Sequence, residues 1–328
     1  MANEHLSVKA GFVPQLHGVE LVPPSVKGPG RYNANGSLLK SWDKMITDGE
    51  VTISNGEITT DYSARVENFA DTTSIVVPEG VGITSFGQDA FSQCQSLESI
   101  NIPDGVTNIG FTALGFCPAL KSVTIPNSLK TIDVGAFDGC PLLAEVILPA
   151  GLIELGAGAF ANCESLKTII IPSGITDIGD ETFAGCSSLE SVTILGNLTS
   201  IGENAFKLCR ALPEITLPNS VTTIGRNAFL YCESFTTFTI PPKVTKINYG
   251  MFDECDLLNT VQIPDGVTSI ANNAFAYCRS LTSITIPSSV TTIGETAFKQ
   301  STNLTTIYYS GTATGAPWGA TNATVVAA

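Results

Sequence analysis

The sequence predicts a repeat solenoid built from stacked units of 23 residues. Three observations predict this fold class: cysteine recurs every 23 residues, phenylalanine stands three residues before most of these cysteines, and proline stands nine residues after most of them. Disulfide frameworks and zinc sites have short or irregular cysteine spacings, so a constant interval indicates a structural period. The nine cysteines are Cys94, Cys117, Cys140, Cys163, Cys186, Cys209, Cys232, Cys255 and Cys278.

Each unit is predicted to contribute one short β-strand to a shared core. Residues 100–102, Ile-Asn-Ile, alternate apolar and polar side chains with the period of a strand. Pro103 ends this strand, because proline has no N–H group for a ladder hydrogen bond. Eleven such strands are predicted, from 74–77 to 306–309. About eight apolar positions per unit cannot be buried by one unit alone, so the units must stack.

The rest of each unit is predicted to form a corner and a short helical turn. Glycine, aspartate or asparagine occupies nearly every position equivalent to Gly110. These residues tolerate positive φ, so we expect a left-handed corner there. The following segment, Ala-Phe-Ala-Asn-Cys at 159–163, predicts one turn of α- or 3₁₀-helix. The solenoid should therefore have one parallel β-sheet face and short helical turns on the opposite face.

The chain is predicted to have four parts. Two of them flank the solenoid as caps, because terminal repeats need capping. These are an extended or disordered lead at 1–35, a small α+β N-terminal cap at 36–73, the solenoid at 74–311, and a C-terminal cap or tail at 312–328. In the N-terminal cap, Ser37 predicts the N-cap of a helix that ends at Asp48 with Gly49 as its C-cap. Asn55-Gly56 predicts a β-hairpin. Trp318 is expected to cover the last repeat.

Composition excludes several functional classes. The net charge is −14, with 30 acidic against 16 basic residues, which disfavours binding to nucleic acid. No apolar run approaches the roughly 20 residues of a membrane-spanning helix, so no membrane insertion is expected. The two histidines, His5 and His17, lie outside the repeats, and no phosphate-binding loop is present. We expect no catalytic residue, no metal ligand and no cofactor.

The repeat pattern C-x-x-L-x-x-I-x-I-P-x-x-V-x-x-I-G-x-x-A-F resembles the BspA-like, or Treponema-type, leucine-rich repeat over residues 74–311. The resemblance implies a right-handed solenoid with a parallel sheet on one face. It also implies bacterial or protozoan proteins, on the cell surface or secreted, that bind host or matrix proteins or other cells. The family has no catalytic or fixed binding motif, so function transfers only as a class.

The exposed positions of the predicted sheet are mostly serine and threonine. Such a surface is either a binding face or a set of tolerated residues, because threonine favours strands. Exposed isoleucines with acidic neighbours would supply the apolar centre and polar rim of an interface. The candidate binding residues are the exceptions to the hydroxyl pattern: Glu145, Ile147, Ile170, Glu214, Gln262 and Tyr308.

A second candidate surface lies on the convex side, at the position before each cysteine. Leu208, Tyr231 and Tyr277 occupy this position and would form an apolar strip. The alternative is ordinary partial packing of a turn.

The cysteines are interpreted as a column of buried thiols, because free cysteine behaves as a small apolar residue. Redox or metal chemistry is the alternative, and pairing of individual thiols is left open. If the column is buried, Cys186→Ser should bury an unsatisfied hydroxyl and lower stability by roughly 1–3 kcal/mol.

The predicted function is that of a non-catalytic, adhesin-like binding module of the bacterial cell surface or of the secreted fraction. A host or matrix protein is the expected partner, and a glycan is the second ligand class. An intracellular or structural scaffold without an external ligand is the alternative. It is suggested by nine free thiols and by the lack of an apolar stretch typical of a signal peptide in this sequence.

Overall fold

A computed structural model describes residues 28–48, 50–60 and 69–328. It is a β-solenoid of about ten turns with a spacing of about 23 residues, so the predicted fold class is confirmed. Five elements precede the repeats: β1 (Gly30–Tyr32), β2 (Leu38–Ser41), α1 (Trp42–Thr47), β3 (Val51–Ser54) and β4 (Glu57–Thr60).

The repeats contribute two rows of strands to the solenoid. The first row has longer strands and is called the strand face: β5 (Ser74–Val76), β7 (Ser99–Asn101), β9 (Ser122–Thr124), β12 (Thr168–Ile171), β14 (Ser191–Ile194), β17 (Thr237–Thr239), β19 (Thr260–Gln262), β21 (Ser283–Ile286) and β23 (Thr306–Tyr309). The second row has strands of two residues: β6 (Ser85–Phe86), β8 (Asn108–Ile109), β10 (Thr131–Ile132), β11 (Glu154–Leu155), β13 (Asp177–Ile178), β15 (Ser200–Ile201), β16 (Thr223–Ile224), β18 (Lys246–Ile247), β20 (Ser269–Ile270) and β22 (Thr292–Ile293). This second ladder is an addition to the single predicted sheet.

Pairing between units is parallel and in register. Ile100 pairs with Val123 on the strand face, and Ile109 pairs with Ile132 in the second row. Each pair joins residues 23 positions apart, so equivalent residues of successive units form columns along the solenoid. Each side chain in a column therefore packs against the equivalent side chain of the next unit.

The side opposite the strand face is called the turn face. Short helical turns were predicted for it, but it is not helical. It consists of hydrogen-bonded β-turns that alternate with bonds to the next unit. The N–H of Ala90 donates to the carbonyl of Gly87 within the unit at 3.2 Å, and the N–H of Phe91 donates to the carbonyl of Ala113 in the next unit at 2.7 Å. Because the bonds between units use alternate N–H groups, the segment cannot wind into a helix.

Left-handed backbone occurs at two turn positions of nearly every unit, and neither is the predicted Gly110 position. Positive φ at the third residue of a hydrogen-bonded turn is the signature of type II turns. The first set is Asp89, Thr112, Gly135, Gly158, Glu181, Asn204, Asn227, Gly250 and Asn273. The second set is Gln93, Phe116, Gly139, Asn162, Gly185, Leu208, Tyr231, Glu254, Tyr277 and Gln300.

The glycine column has a different physical cause. Gly156 has no positive φ, but a Cβ atom on it would lie 2.5 Å from the carbonyl carbon of Asp133 and 2.5 Å from the nitrogen of Val134. Real Cβ atoms do not approach backbone so closely. Glycine is therefore required at position 156 because two units approach each other there, and the prediction of a left-handed corner was wrong.

The core is a set of parallel columns of identical side chains. The phenylalanine rings from Phe137 to Phe298 stack in succession, with centroids 5.2–5.9 Å apart and interplanar angles of 2–15°. Leu114 interrupts this column near its N-terminal end and is itself fully buried. The nine cysteines form the adjacent column, and all are buried and unpaired.

The N-terminal cap differs from the prediction in where its helix begins. Residues 38–41 pair with β1 as strand β2, so the helix begins at Trp42 and its N-cap residue is Ser41 rather than Ser37. Trp42 and Met45 are buried. The hairpin lies where Asn55-Gly56 predicts it. The Gly49 prediction and most of the predicted lead lie outside the described residues.

The opposite end carries β24 (Thr324–Val326), which extends the strand face by pairing with β23. Trp318 is buried, contacts Tyr309 edge-on at 5.5 Å between ring centroids, and donates from Nε1 to the carbonyl of Thr314 at 2.8 Å. The carbonyl of Trp318 accepts a hydrogen bond from the N–H of Phe298 at 3.0 Å. In the preceding unit, the N–H of Phe275 donates in the same way to Ala297 of the next repeat, so Trp318 replaces the carbonyl of a further repeat.

The strand face is interrupted at three places. Of the eleven predicted strands, 145–148 forms only an isolated bridge between Ser122 and Glu145, and 214–217 forms no strand. Pro213 precedes the second of these segments and has no N–H to continue the ladder. The third interruption lies between β19 and β21, which are not paired with each other.

Candidate functional site

The two exposed isoleucines predicted from the sequence lie on the strand face in successive units. The side chain of Ile147 is 66% exposed and that of Ile170 is 47% exposed, whereas the core residues beside them, Val146 and Ile169, are buried. Ile170 pairs in register with Thr193, the usual residue type of this column. Burial therefore does not account for either isoleucine.

A third exposed apolar residue, Leu195, belongs to the same region and was not among the predicted site residues. It is 62% exposed and stands where most units have proline. Because Ile170 pairs with Thr193, Leu195 is a diagonal neighbour of Ile170, within reach of a long side chain. The substitution of proline by leucine was the sequence signal that could have identified it. We call Ile147, Ile170 and Leu195 the apolar patch.

The acidic candidates occupy different positions relative to this patch. Glu145 lies two residues before Ile147 in the same segment and is half-buried. Glu214 is exposed but lies two units beyond Ile170, directly after Pro213. The structure thus brings Glu145 close to the apolar patch and places Glu214 at a second interruption of the strand face.

The remaining strand-face candidates lie near the C-terminal end. Gln262 is exposed on β19, and its Oε1 accepts a hydrogen bond from Thr239 Oγ1 at 3.3 Å. Tyr308 on β23 is 41% exposed and pairs in register with Thr285. Gln262 lies beside the interruption between β19 and β21, and Tyr308 lies one strand beyond it, both far along the solenoid from Ile147.

The turn-face candidates do not form a continuous apolar strip. Leu208, Tyr231 and Tyr277 are half-buried, and Glu254 stands between the two tyrosines in the column. The guanidinium of Arg210 lies 5.6 Å from the ring centroid of Tyr231, and that of Arg279 lies 5.4 Å from that of Tyr277. Arginine cations therefore cover both rings, and the binding role of this column stays a prediction.

These arginines also make ion pairs along the turn face. Arg210 pairs with Glu233, and Arg279 pairs with Asp256 and, at 3.3 Å, with Glu254. Beside this network, burial and then the nearby Glu254 raise the pKa of Asp253 to about 6. Its Oδ1 is buried without a hydrogen-bond partner.

The thiols are held in a way that makes them unreactive. Burial raises the pKa of Cys186 well above its usual range, so the thiolate nucleophile is absent at neutral pH. Its Sγ donates to the carbonyl of Phe160 at 3.2 Å, and the same bond recurs in each unit from Cys117 to Cys278. Within the described residues, no cluster of histidine, cysteine, aspartate or glutamate could hold a metal ion.

A solenoid of stacked 23-residue units, with a leucine at the third position after cysteine, defines a leucine-rich repeat protein. The chain belongs to the BspA type leucine rich repeat family, whose model matches residues 66–190 and 176–305 with six copies. Proteins of this family are generally protein-binding modules, and the fold is typically non-catalytic. Family members are often surface or secreted proteins.

Solved structures of bacterial repeat proteins are similar to the chain. A leucine rich cell surface protein from Faecalibacterium prausnitzii is 27% identical, covering 80% of this chain and 93% of that one, with a TM-score of 0.50. A leucine-rich repeat protein from Bacteroides ovatus is 25% identical, covering 82% and 91%, with a TM-score of 0.46. The leucine rich repeat protein of T. pallidum is 22% identical, covering 70% and 86%, with a TM-score of 0.37.

No curated protein matches the chain. Among the described residues, none of the helices has the length and apolar character that crossing a bilayer would need.

Proposed function

We propose that the chain is an adhesin-like module, on the cell surface or secreted, that binds a host or matrix protein through the apolar patch on its strand face. The observation that carries this proposal is the exposure of Ile147 and Ile170 in a column that elsewhere holds mainly small polar residues. Neither side chain contributes to the core, so the fold does not need them. Family membership and the similarity to the F. prausnitzii cell surface protein support the location.

The patch has the composition of an interface centre. Interface cores are depleted in charge and the rim is polar. The apolar patch is bordered by the carboxylate of Glu145 and by the serine and threonine side chains of β12 and β14. A partner would place apolar side chains on the isoleucines and polar groups at the edge.

The binding experiment uses the full chain and immobilised matrix proteins, namely fibronectin, laminin and collagen, with surface plasmon resonance as the readout. We expect Ile147→Thr together with Ile170→Thr, which restore the usual residue of the column, to weaken the detected interaction at least tenfold. The matched control Thr239→Ile adds an isoleucine to the same column elsewhere and should leave the affinity unchanged. Binding that is unaffected by the double substitution would place the contact outside the patch.

The location is tested separately by fractionating the native organism. Recovery of the protein from the surface or culture-medium fractions is the expected result. Recovery of the intact protein only from cytosol would exclude the adhesin role and favour the intracellular scaffold. The buried thiols do not distinguish these alternatives, because none of the nine is exposed.

A glycan is the second ligand class that the strand face suits. The observation that favours it is the hydroxyl- and amide-rich surface beside Gln262, which is lined by Asn259, Ser283, Thr285 and Ser288.

A further inference from the structure

A cleft opens on the strand face between β19 and β21. Among the described strands, β19 pairs only with β17, whereas β21 pairs with β23. The cleft between them has a volume of about 590 Å³. Ligand pockets for small molecules have volumes of about 300–1,000 Å³. The cleft therefore has a volume that suits a short oligomer.

The polar groups of this cleft are almost all uncharged. They include those of Asn259, Gln262, Asp265, Ser283, Thr285 and Ser288, and Thr260, Ser310 and Ala328 also line the cleft. These side chains can both donate and accept hydrogen bonds, and Asp265 supplies the one carboxylate among them. Among the described residues, no lysine, arginine or histidine lines the cleft, so an anionic ligand would have no counter-charge there. The lining chemistry favours a neutral ligand with many hydroxyl groups.

The cleft also has apolar surface. The core residues Val261 and Ile263 are partly exposed here, whereas Ile284 and Ile286 across the cleft are buried. Tyr308 stands on the far side of Thr285, one strand away, and parallel strands lie about 4.8 Å apart. An exposed tyrosine offers an apolar ring face together with a polar hydroxyl. A sugar ring has the complementary pair of surfaces, a C–H face and a rim of hydroxyl groups.

We propose that this cleft binds a neutral saccharide of about two or three units, with Tyr308 as the stacking surface and Asp265 and Gln262 as hydrogen-bonding groups. The Oε1 of Gln262 is engaged by Thr239, so its Nε2 group can donate to a sugar hydroxyl. This site deepens the glycan part of the proposed function. It lies several units from Ile147 and Ile170, so either site can fail without the other.

The test measures binding of maltotriose, cellotriose, chitotriose and mannotriose to the full chain by saturation-transfer NMR and calorimetry. We expect saturable binding of at least one of them. Tyr308→Ala and Asp265→Asn should each raise the dissociation constant at least tenfold. Tyr249→Ala, which removes a tyrosine of similar exposure from the turn face, is the control for the first variant. Asp104→Asn, in an identical Pro-Asp-Gly-Val corner, is the control for the second.

Three results would overturn the proposal. The first is no binding of any of the four trisaccharides at millimolar concentration. The second is equal binding by the wild type and both site variants, or equal binding of the anionic 3′-sialyllactose. The third is binding of the peptide acetyl-Ser-Ile-Thr-Ile-Pro-amide in place of the sugars. This peptide copies residues 283–287, and its binding would show that the open strand edges accept an added strand instead.

Discussion

Replacement of Cys186 by serine tests how the buried column of thiols is satisfied. From the sequence alone, a buried hydroxyl at this place should lack a partner. In the structure, however, Cys186 Sγ donates to the carbonyl of Phe160 at 3.2 Å. The column also contains a natural serine, Ser301, whose Oγ donates to the carbonyl of Phe275 at 2.7 Å and accepts the N–H of Cys278 at 3.1 Å. A serine at 186 should therefore find the same partners.

The expected magnitude follows from what each substitution removes. Cys186→Ser keeps the hydrogen bond and loses the apolar contacts of sulfur, which correspond to about one buried methylene group, or about 1 kcal/mol. Cys186→Ala loses the same contacts and leaves a small cavity, so it should cost about 1–2 kcal/mol. The carbonyl of Phe160 keeps a donor in both variants, because the N–H of Cys163 also donates to it at 3.3 Å.

The order of the two variants is the decisive result. Urea denaturation under reducing conditions should give Cys186→Ser a midpoint equal to or above that of Cys186→Ala, with unchanged slopes. A serine variant that is less stable than the alanine variant by 1 kcal/mol or more would mean an unsatisfied hydroxyl and would refute the reasoning. Ser301→Cys and Ser301→Ala form the reciprocal control: the first should be nearly neutral, and the second should remove the acceptor of the Cys278 N–H.

Three further predictions concern the turn face and the strand ladder. Leu208 has a φ of 65°, in the left-handed region that favours glycine. In urea denaturation, the Leu208→Gly variant should therefore be about 1 kcal/mol more stable than the Leu208→Ala variant. The reverse order would contradict the left-handed backbone at this position. Asp253→Asn should stabilise the protein by about 1 kcal/mol at pH 7, because the pKa of the folded carboxyl is raised to about 6 from an ordinary value of 3.8. A raised pKa means that the folded state binds more protons than the unfolded state between about pH 4 and 6. Wild-type stability relative to this variant should therefore rise as the pH falls, and the difference should vanish below about pH 4; a difference independent of pH would contradict this cause. Pro213→Thr should restore the N–H group that the ladder lacks at this position. The amide of the new threonine should then be protected from hydrogen exchange, and the amides of 214–217 should become more protected than in the wild type. Exchange of 214–217 as fast as in the wild type would show that the proline is not the cause of the interruption.

The sequence was sufficient for the period, the core columns and the two exposed isoleucines, because each depends on which residue recurs at which position. It was insufficient for the glycine column. Either a positive φ or a close approach of backbone can require glycine. At Gly110 and Gly156 the sequence shows glycine in both cases and does not tell which of the two causes applies. Only the distance between successive units separates them. The same limit applied to Cys186, whose partner is a backbone carbonyl and has no sequence signature.

The interruptions of the strand face show a second limit. Pro213 is visible in the sequence, and its consequence follows from the missing N–H. The opening between β19 and β21 has no such residue, because neither 259–263 nor 282–286 contains a proline. The cleft arises from how the units stack, which depends on all the contacts along the solenoid and not on a local motif.

In a repeat protein, function must be looked for where a unit departs from its neighbours, and burial separates two kinds of departure. Ser301 and Leu114 depart from their columns but are buried, so the core accounts for them. Ile147, Leu195 and Tyr308 also depart from theirs, yet they remain 41–66% exposed and add little to the stacking of the units. A large apolar side chain that stays 41–66% exposed gains less from folding than a buried one, since much of its surface stays in water. We therefore propose these exposed departures as the positions at which a ligand, rather than the fold, gives the side chain a role.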